Sequence, residues 1–159
     1  MIIRPAERQD AAQIAELVNV IVDETTVTFT TLRKSEDNIA QDIASRGAAF
    51  QVAELDGAVV GFATYFPFRN GAGYASTQEH SIVIAPSAKG HGVGRKLMTA
   101  LEDVARDNGV HALIAGVSGE NADGIAFHAA IGFDEVGRLP EVGRKFDRWL
   151  DLVLMQKRL

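Results

Sequence analysis

The chain has 159 residues, 47% hydrophobic and 23% charged, a balance typical of one globular domain spanning residues 1–159. It contains no cysteine, which excludes disulfides, thiolate metal sites and a cysteine nucleophile. The formal net charge of -5 argues against a nucleic-acid partner, and no segment has the roughly 20 apolar residues of a membrane span. No signal-peptide pattern is present, so we expect a cytoplasmic protein with small-molecule partners.

The first part of the sequence predicts a short strand followed by two helices. The strand lies at residues 2–3, and an amphipathic helix with apolar residues at helical spacing begins at Asp10. The β-branched run 25–31 is interpreted as an ordered loop, because helical patterns flank it closely. Ser35 then predicts the start of a second helix and Gly47 its end.

The remainder predicts a hairpin and then alternating strands and helices. An Asp-Gly pair at residues 56–57 lies between two strand-like runs, which is the pattern of a β-hairpin. A glycine-rich turn later leads into an amphipathic helix that ends at residues 108–109. The other predicted elements are strands at 50–55, 58–66, 74–84, 110–117, 133–138 and 149–155 and a short helix at 123–131. About seven strands and about four helices predict a mixed α/β domain.

The glycine-rich turn at residues 89–94 is the most informative segment. It follows a buried strand and opens a helix, so its amides and the helix N-terminus can bind a phosphate or pyrophosphate. A P-loop would need Gly-Lys-Ser/Thr, and a dinucleotide fingerprint would need a glycine where Arg95 stands, so neither pattern matches. The alternative is a turn that only reverses the chain.

The turn resembles motif A of the GNAT acetyltransferase family, in which a strand is followed by Gln/Arg-x-x-Gly-x-Gly/Ala and a helix. Lys89 stands at the Gln/Arg position, and Gly92 and Gly94 at the two small positions. The resemblance implies the GNAT fold, with a central sheet splayed at its middle, and acetyl-CoA as co-substrate without a metal. It places the pyrophosphate on the turn and the pantetheine arm on the strand before it. The residues so implied are Ile82, Val83, Ile84, Lys89, Gly90, His91, Gly92, Val93, Gly94, Arg95 and Lys96.

A second segment, residues 118–133, is similar to motif B of the same family. Asn121 takes the position that contacts the cofactor arm. His128 stands where many members have a tyrosine that protonates the departing thiolate, and histidine is a competent acid near neutral pH. The alternative for His128 is a satisfied structural residue. The run 116–120 is one glycine short of a Gly-x-Ser-x-Gly nucleophile elbow, so a hydrolase is rejected.

Longer stretches resemble one branch of the family, the phosphinothricin and methionine sulfoximine/sulfone N-acetyltransferases. They are Ile3-Arg4-Pro5-Ala6, Thr28-Phe29, Phe66-Pro67-Phe68-Arg69, Tyr74, Glu79-His80-Ser81 and the run 141–151. The resemblance covers nearly the whole chain and implies direct acetyl transfer, within a ternary complex, to the amino group of a small amino-acid-like substrate. A homodimer is also expected.

Glu79 is the predicted general base, because a free amine attacks a thioester and an ammonium does not. A backbone amide near Val83 is expected to stabilise the oxyanion. Arg69 and Tyr74 are predicted to hold the substrate carboxylate, with Phe29 and Thr30 as one wall. The alternative for Glu79 is a polar residue on a solvent-facing strand edge.

The sequence departs from the branch at Gly71, where some members carry a second arginine, and at Ala75, where arginine is usual, and this favours a substrate less charged than phosphinothricin. The cluster Arg144, Lys145 and Arg148 is interpreted as a solvated face, with substrate closure or a dimer contact as the alternative. Two other functions remain open: an acetyltransferase of protein amines, and a non-catalytic acyl-CoA-binding module.

Overall fold

The computed structural model describes residues 1–159 as four α-helices and one seven-stranded sheet. The helices are α1 (Ala11–Glu24), α2 (Glu36–Arg46), α3 (Val93–Asp107) and α4 (Ala122–Ala130). The strands are β1 (Ile2–Pro5), β2 (Phe50–Leu55), β3 (Ala58–Pro67), β4 (Thr77–Ile84), β5 (Ala112–Ser118), β6 (Asp134–Lys145) and β7 (Arg148–Arg158). No helix is long and apolar enough to cross a membrane. The predicted mixed α/β class, with its numbers of strands and helices, is confirmed.

The strand order is β1-β2-β3-β4-β5-β7-β6, and only the β4–β5 pair is parallel. A parallel pair needs a crossover connection, which α3 supplies after the glycine-rich turn. The sheet carries an apolar cluster on each face. One cluster packs α3 and α4 against the sheet, and the other packs α1 and α2 against it. The middle of the sheet is therefore covered on both sides.

The predicted helices and the first hairpin match the structure closely. Ser35 caps α2 by accepting a hydrogen bond from the backbone amide of Asn38, and Gly47 follows the last helical residue with a positive φ. Asp56 and Gly57 both have positive φ, as the tight turn of a β-hairpin requires. The segment 25–31 is a loop, as predicted.

Three strand boundaries were predicted wrongly by three residues or more, and one of them is the end of β7, which lies at Arg158 and not at residue 155. Tyr74 does not begin a strand, because it ends a single 3₁₀ turn closed by its amide on the carbonyl of Gly71, and β4 starts at Thr77. The predicted end of β6 at residue 138 is also wrong, because that strand continues to Lys145 through a register shift between Leu139 and Gly143. It reaches β7 through a turn at residues 146–147 whose positive φ values occur without glycine.

Candidate active site

The sheet opens between β4 and β5. Their parallel pairing covers Thr77 to His80 on β4 and Ala112 to Ala115 on β5, and then stops. Because β4 continues to Ile84 and β5 to Ser118, each strand has a free edge beyond the last pair. This gap is the splay predicted for the middle of the sheet.

The backbone of β4 presents alternate residues to this gap. The amide of Ala85 donates to Val60 on β3 at 2.8 Å, so every second residue before it also faces β3. Val83 belongs to that set, and its own amide is turned away from the gap. The backbone groups of Ile82 and Ile84 point into the gap instead. The amide near Val83 that was expected to meet an oxyanion must therefore belong to one of these two neighbours.

The glycine-rich turn forms an open cradle at one end of the gap. Gly90 and Gly92 have φ of 79° and 75°, and a Cβ added to either would meet nothing within 4 Å. Gly92 is the N-cap of α3, so the first amides of that helix have no intrahelical acceptor. The side chains of the turn divide by burial: Val93 is buried, whereas Lys89, His91, Arg95 and Lys96 are exposed. This arrangement suits a pyrophosphate bound mainly by backbone donors.

Helix α4 lies against this cradle and carries Asn121 at its N-cap. The Oδ1 atom of Asn121 accepts the amide of Gly124 at 2.9 Å, so its amide nitrogen is the group left for a ligand. A Cβ added to Gly94 would lie 3.0 Å from the ring of Phe127, which shows how closely α4 packs on the start of α3. The helix that carries Asn121 is therefore in direct contact with the start of α3.

Glu79 lies on β4, one residue before the sheet opens. Its side chain points to the same face as that of Val83, the face covered by α1 and α2. It is half-buried, and this burial raises the pKa of the carboxyl group above its ordinary value. No ion pair of the structure includes it. A desolvated carboxylate without a cationic partner is well suited to accept a proton.

Gly116 on β5 makes the room for this carboxylate. A Cβ at Gly116 would come within 3.1 Å of Oε1 of Glu79 and 3.5 Å of Leu152. The sequence offered a signal here, because a glycine in the middle of a buried strand marks a close approach by another group. In the sequence this glycine stands out only as part of the run 116–120, which is one glycine short of a nucleophile elbow.

His128 is buried, and both of its ring nitrogens are engaged. Nδ1 lies 2.7 Å from the carbonyl of Gly124, so it must carry the proton and donate. Nε2 is then the acceptor for Nε2 of His80, which lies 3.1 Å away. His80 in turn leaves its Nδ1 buried without a partner. Burial lowers the pKa of both rings, that of His80 to about 3 with a further contribution from His128. This geometry supports the structural alternative for His128.

We expect the histidine pair to make folding sensitive to acid. Because the folded-state pKa values are below the ordinary 6.5, the unfolded chain binds protons first. Stability is therefore complete above about pH 6.5 and falls as the pH drops towards the folded values. The double variant His80→Leu/His128→Leu should flatten this acid limb in thermal unfolding and retain turnover. His111→Leu, which removes an exposed histidine, is the matched control. If the double variant lost turnover and His111→Leu did not, His128 would again be the candidate for the acid that protonates the thiolate.

The predicted substrate residues lie on two separate loops. The guanidinium of Arg69 stacks over the ring of Tyr74 at 5.3 Å, and both side chains are exposed after the end of β3. Phe29 lies on the loop after α1 and packs against Gly143 of β6. The hydroxyl of Thr30 accepts the amide of Leu32 and so is turned into its own loop. No hydrogen bond joins the two loops.

The basic cluster near the β6–β7 turn was predicted to be a solvated face, and this holds for two of its three residues. Arg144 and Arg148 are exposed, and Arg148 pairs with Glu120. Lys145 is not solvated, because only 2% of its surface is exposed. Its Nζ donates to the carbonyls of Thr28 at 3.0 Å and Ile21 at 3.4 Å.

Comparison with known proteins agrees with this geometry. Residues 14–133 match the sequence profile of the "Acetyltransferase (GNAT) family". The chain belongs to the GNAT acetyltransferase family. This GNAT chain is 38% identical to the L-methionine sulfoximine/L-methionine sulfone acetyltransferase of Salmonella typhimurium, over 100% of this chain and 95% of the relative.

Two solved structures are also similar to this GNAT chain. A ribosomal-protein-alanine N-acetyltransferase from Brucella melitensis superposes with a TM-score of 0.95 and 40% identity, covering 100% of both chains. A GNAT phosphinothricin acetyltransferase from Sinorhizobium meliloti, in complex with acetyl-CoA, has a TM-score of 0.93 and 31% identity. It covers 99% of this chain and 88% of that one. The predicted family and branch resemblance are confirmed.

Proposed function

We propose that this protein transfers the acetyl group of acetyl-CoA directly, within a ternary complex, to the amino group of a small amino-acid-like substrate. The observation that carries the proposal is the position of Glu79. It is a half-buried carboxylate with a raised pKa, one residue before the gap whose free edge is formed by Ile82 and Ile84. A non-catalytic acyl-CoA-binding module would need the gap but would have no use for a desolvated carboxylate there.

The residues around the gap fit acetyl-CoA. Acetyl-CoA supplies an activated acyl group as a thioester. The amides of the turn 90–95 and the start of α3 would hold its pyrophosphate, with Lys89 and Lys96 at the exposed rim. Ile82 and Ile84 would offer backbone hydrogen bonds to its extended arm, and Asn121 its amide nitrogen. The open space beside Gly90 and Gly92 is consistent with a ligand that approaches the backbone closely.

Glu79 would prepare the amine. At neutral pH an amino group carries a proton, and its lone pair is not available for attack. The Glu79 carboxylate would take that proton, directly or through a water molecule, and so generate the free amine beside the gap. The amide of Ile82 or Ile84 would donate to the oxygen that becomes negative during transfer. The attack would form the C–N bond and break the C–S bond, and the departing CoA thiolate would take up, through solvent, the proton that the attacking nitrogen loses. His128 is not assigned the acid role, because its only proton is donated from Nδ1 to the carbonyl of Gly124 and its Nε2 accepts from His80.

The substrate class follows from the exposed Arg69 and Tyr74. A guanidinium already stacked on an aromatic ring keeps its donors free for a carboxylate. Gly71 and Ala75 add no second positive charge beside it. We therefore favour methionine sulfone or methionine sulfoximine over phosphinothricin, whose phosphinate adds a second anion. Acetylation of such an amino-acid analogue is a detoxification reaction.

Thiol release from acetyl-CoA tests this proposal. The panel contains methionine sulfone, methionine sulfoximine, phosphinothricin, ordinary amino acids, a lysine-bearing peptide and a peptide with N-terminal alanine. We expect the highest kcat/KM for methionine sulfone or sulfoximine and a lower value for phosphinothricin. The proposal would be contradicted if the protein acetylated none of the free amino acids and amino-acid analogues in this panel.

The second candidate is acetylation of protein amines, and the name of the similar Brucella melitensis structure favours testing it. That function needs an open groove that accepts a peptide beyond its first residue. In the same panel, turnover of the N-terminal alanine peptide above that of every free amino acid would select it.

We further propose that the protein works in the cytoplasm as a homodimer. The β6–β7 hairpin is at the edge of the sheet and leaves Val136, Val142, Phe146 and Trp149 more than half exposed. An exposed edge strand is a template for pairing with another chain, and large exposed apolar patches mark protein–protein contact sites. Sedimentation equilibrium measures the mass, and a monomer at micromolar concentration would contradict the dimer.

A further inference from the structure

A buried lysine supports the loop that carries Phe29. Lys145 ends β6, and its Nζ reaches the carbonyls of Thr28 and Ile21 without contacting a carboxylate. Desolvation lowers the pKa of this ammonium, and the charge of Asp23 acts in the opposite direction. A buried charge without a direct ion-pair partner is costly, and apolar side chains of similar volume often replace such groups without loss of stability. The cost therefore points to a role in placing the groups that Lys145 binds.

Gly143, two residues earlier on the same face of β6, forms the second half of this support. A Cβ added there would lie 2.6 Å from Cε2 and 2.8 Å from Cγ of Phe29, so the ring occupies the space that a side chain would fill. The backbone of Gly143 does not have a positive φ, so only this close approach requires a glycine. Lys145 thus holds the carbonyl of Thr28, and Gly143 seats the ring of the next residue.

Residues 25–27 of the loop held in this way lie next to Asn121 of the proposed cofactor site. Thr25, Thr26 and Val27 line a concavity of about 450 Å³ together with Asn121. The hydroxyl of Thr26 also donates to Glu120, the residue before Asn121. The loop follows α1, and Glu79 points to the face of the sheet that α1 covers.

We propose that Lys145 and Gly143 are positioning residues that fix Phe29 and its loop as a rigid wall of the amine site. The inference rests on the proposed function, since it assigns the support of the same site. It predicts that disturbing the support weakens binding of the amine more than binding of acetyl-CoA, because Asn121 is the one proposed cofactor contact that lies next to this loop and the others lie on β4 and α3.

Two matched pairs of variants test the proposal. Gly143→Ala is compared with Gly137→Ala, which lies on the same strand and whose added methyl meets nothing within 4 Å. Lys145→Met is compared with Arg144→Met, which removes an exposed charge. We expect Gly143→Ala and Lys145→Met to raise KM for the amine about tenfold, a loss of about 1.4 kcal/mol, with a smaller change in KM for acetyl-CoA and both controls at wild-type values. An unchanged KM for the amine, or an equal rise of both KM values, would overturn the proposal.

A measurement without substrate separates this inference from the proposed function. Amide hydrogen exchange in residues 25–31 should become faster in Lys145→Met and Gly143→Ala and stay at the wild-type rate in Arg144→Met and Gly137→Ala. Faster exchange in Lys145→Met and Gly143→Ala is evidence for the positioning role even if the protein acetylates no amine in the panel. Wild-type exchange in Gly143→Ala overturns it, and this variant decides the question if Lys145→Met does not fold.

Discussion

Glu79→Gln should lower kcat/KM for the amine about 10²- to 10⁴-fold, the usual contribution of a general base, while acetyl-CoA binds as it does to the wild type. The substitution keeps the shape of the side chain and removes only its ability to accept the proton. Steady-state kinetics measures the first effect and calorimetric titration with acetyl-CoA the second. Glu135→Gln, which changes an exposed carboxylate on β6, is the control. Wild-type turnover in Glu79→Gln would remove the base assignment.

The pH dependence of kcat/KM gives a second reading of the same residue. Burial raises the pKa of Glu79, and only the ionised carboxylate can accept a proton. Activity should therefore be lost as the pH falls through this raised value, at a higher pH than for an ordinary glutamate. The residual activity of Glu79→Gln should lack this acidic limb. If Glu79→Gln still lost activity over the same acidic pH range, the group that titrates there would not be Glu79.

Gly92→Ala should weaken acetyl-CoA binding about tenfold or more, which corresponds to about 1.4 kcal/mol or more. The residue is at the N-cap of α3 with φ of 75°, and an added methyl group points into the open space of the proposed pyrophosphate cradle. An alanine there also has to adopt a left-handed conformation, which costs about 1–2 kcal/mol of folding stability. Calorimetric titration and thermal unfolding measure the two effects.

The same helix offers a control for the backbone cost. Gly109 follows the C-terminal end of α3 and also has φ of 75°, and a Cβ there also meets nothing within 4 Å. Gly109→Ala should lose comparable stability and bind acetyl-CoA as the wild type does. Equal weakening of binding in both variants would show that strain in α3, and not the cradle, explains the effect.

The sequence predicted those parts of the fold whose signals are local. Ser35 and Gly47 bound α2 through cap chemistry, and the Asp56-Gly57 pair specifies its hairpin turn. The second hairpin escaped prediction because Phe146 and Asp147 adopt positive φ without a glycine to indicate it. Tertiary pairing with β7 imposes that conformation, and no local pattern reports it.

In the candidate site, too, local patterns could be predicted and contacts between distant residues could not. The family resemblance predicted the cradle, Glu79 and Asn121 as site residues, and the structure has the strand, turn and helix that carry them in the expected order, while their roles stay predictions. Whether a side chain is buried and which hydrogen bonds it makes depend on residues from distant parts of the chain that pack around it. Nε2 of His128 is occupied by the ring of His80, and Lys145 is buried by a loop more than a hundred residues earlier. The spacing of residues in the sequence could not predict either of these contacts.

The gap between β4 and β5 is a pair of exposed strand edges placed in the middle of a sheet. Free edges are templates for pairing with any extended chain, and proteins usually keep them at the periphery, where they are shortened or charged. Under the proposed function an edge is needed at the centre, because the backbone groups of Ile82 and Ile84, which point into the gap, are the proposed binding groups. A bound extended ligand would therefore act as an additional strand. The concentration of acetyl-CoA around the protein would then govern resistance to aggregation as well as the rate of turnover.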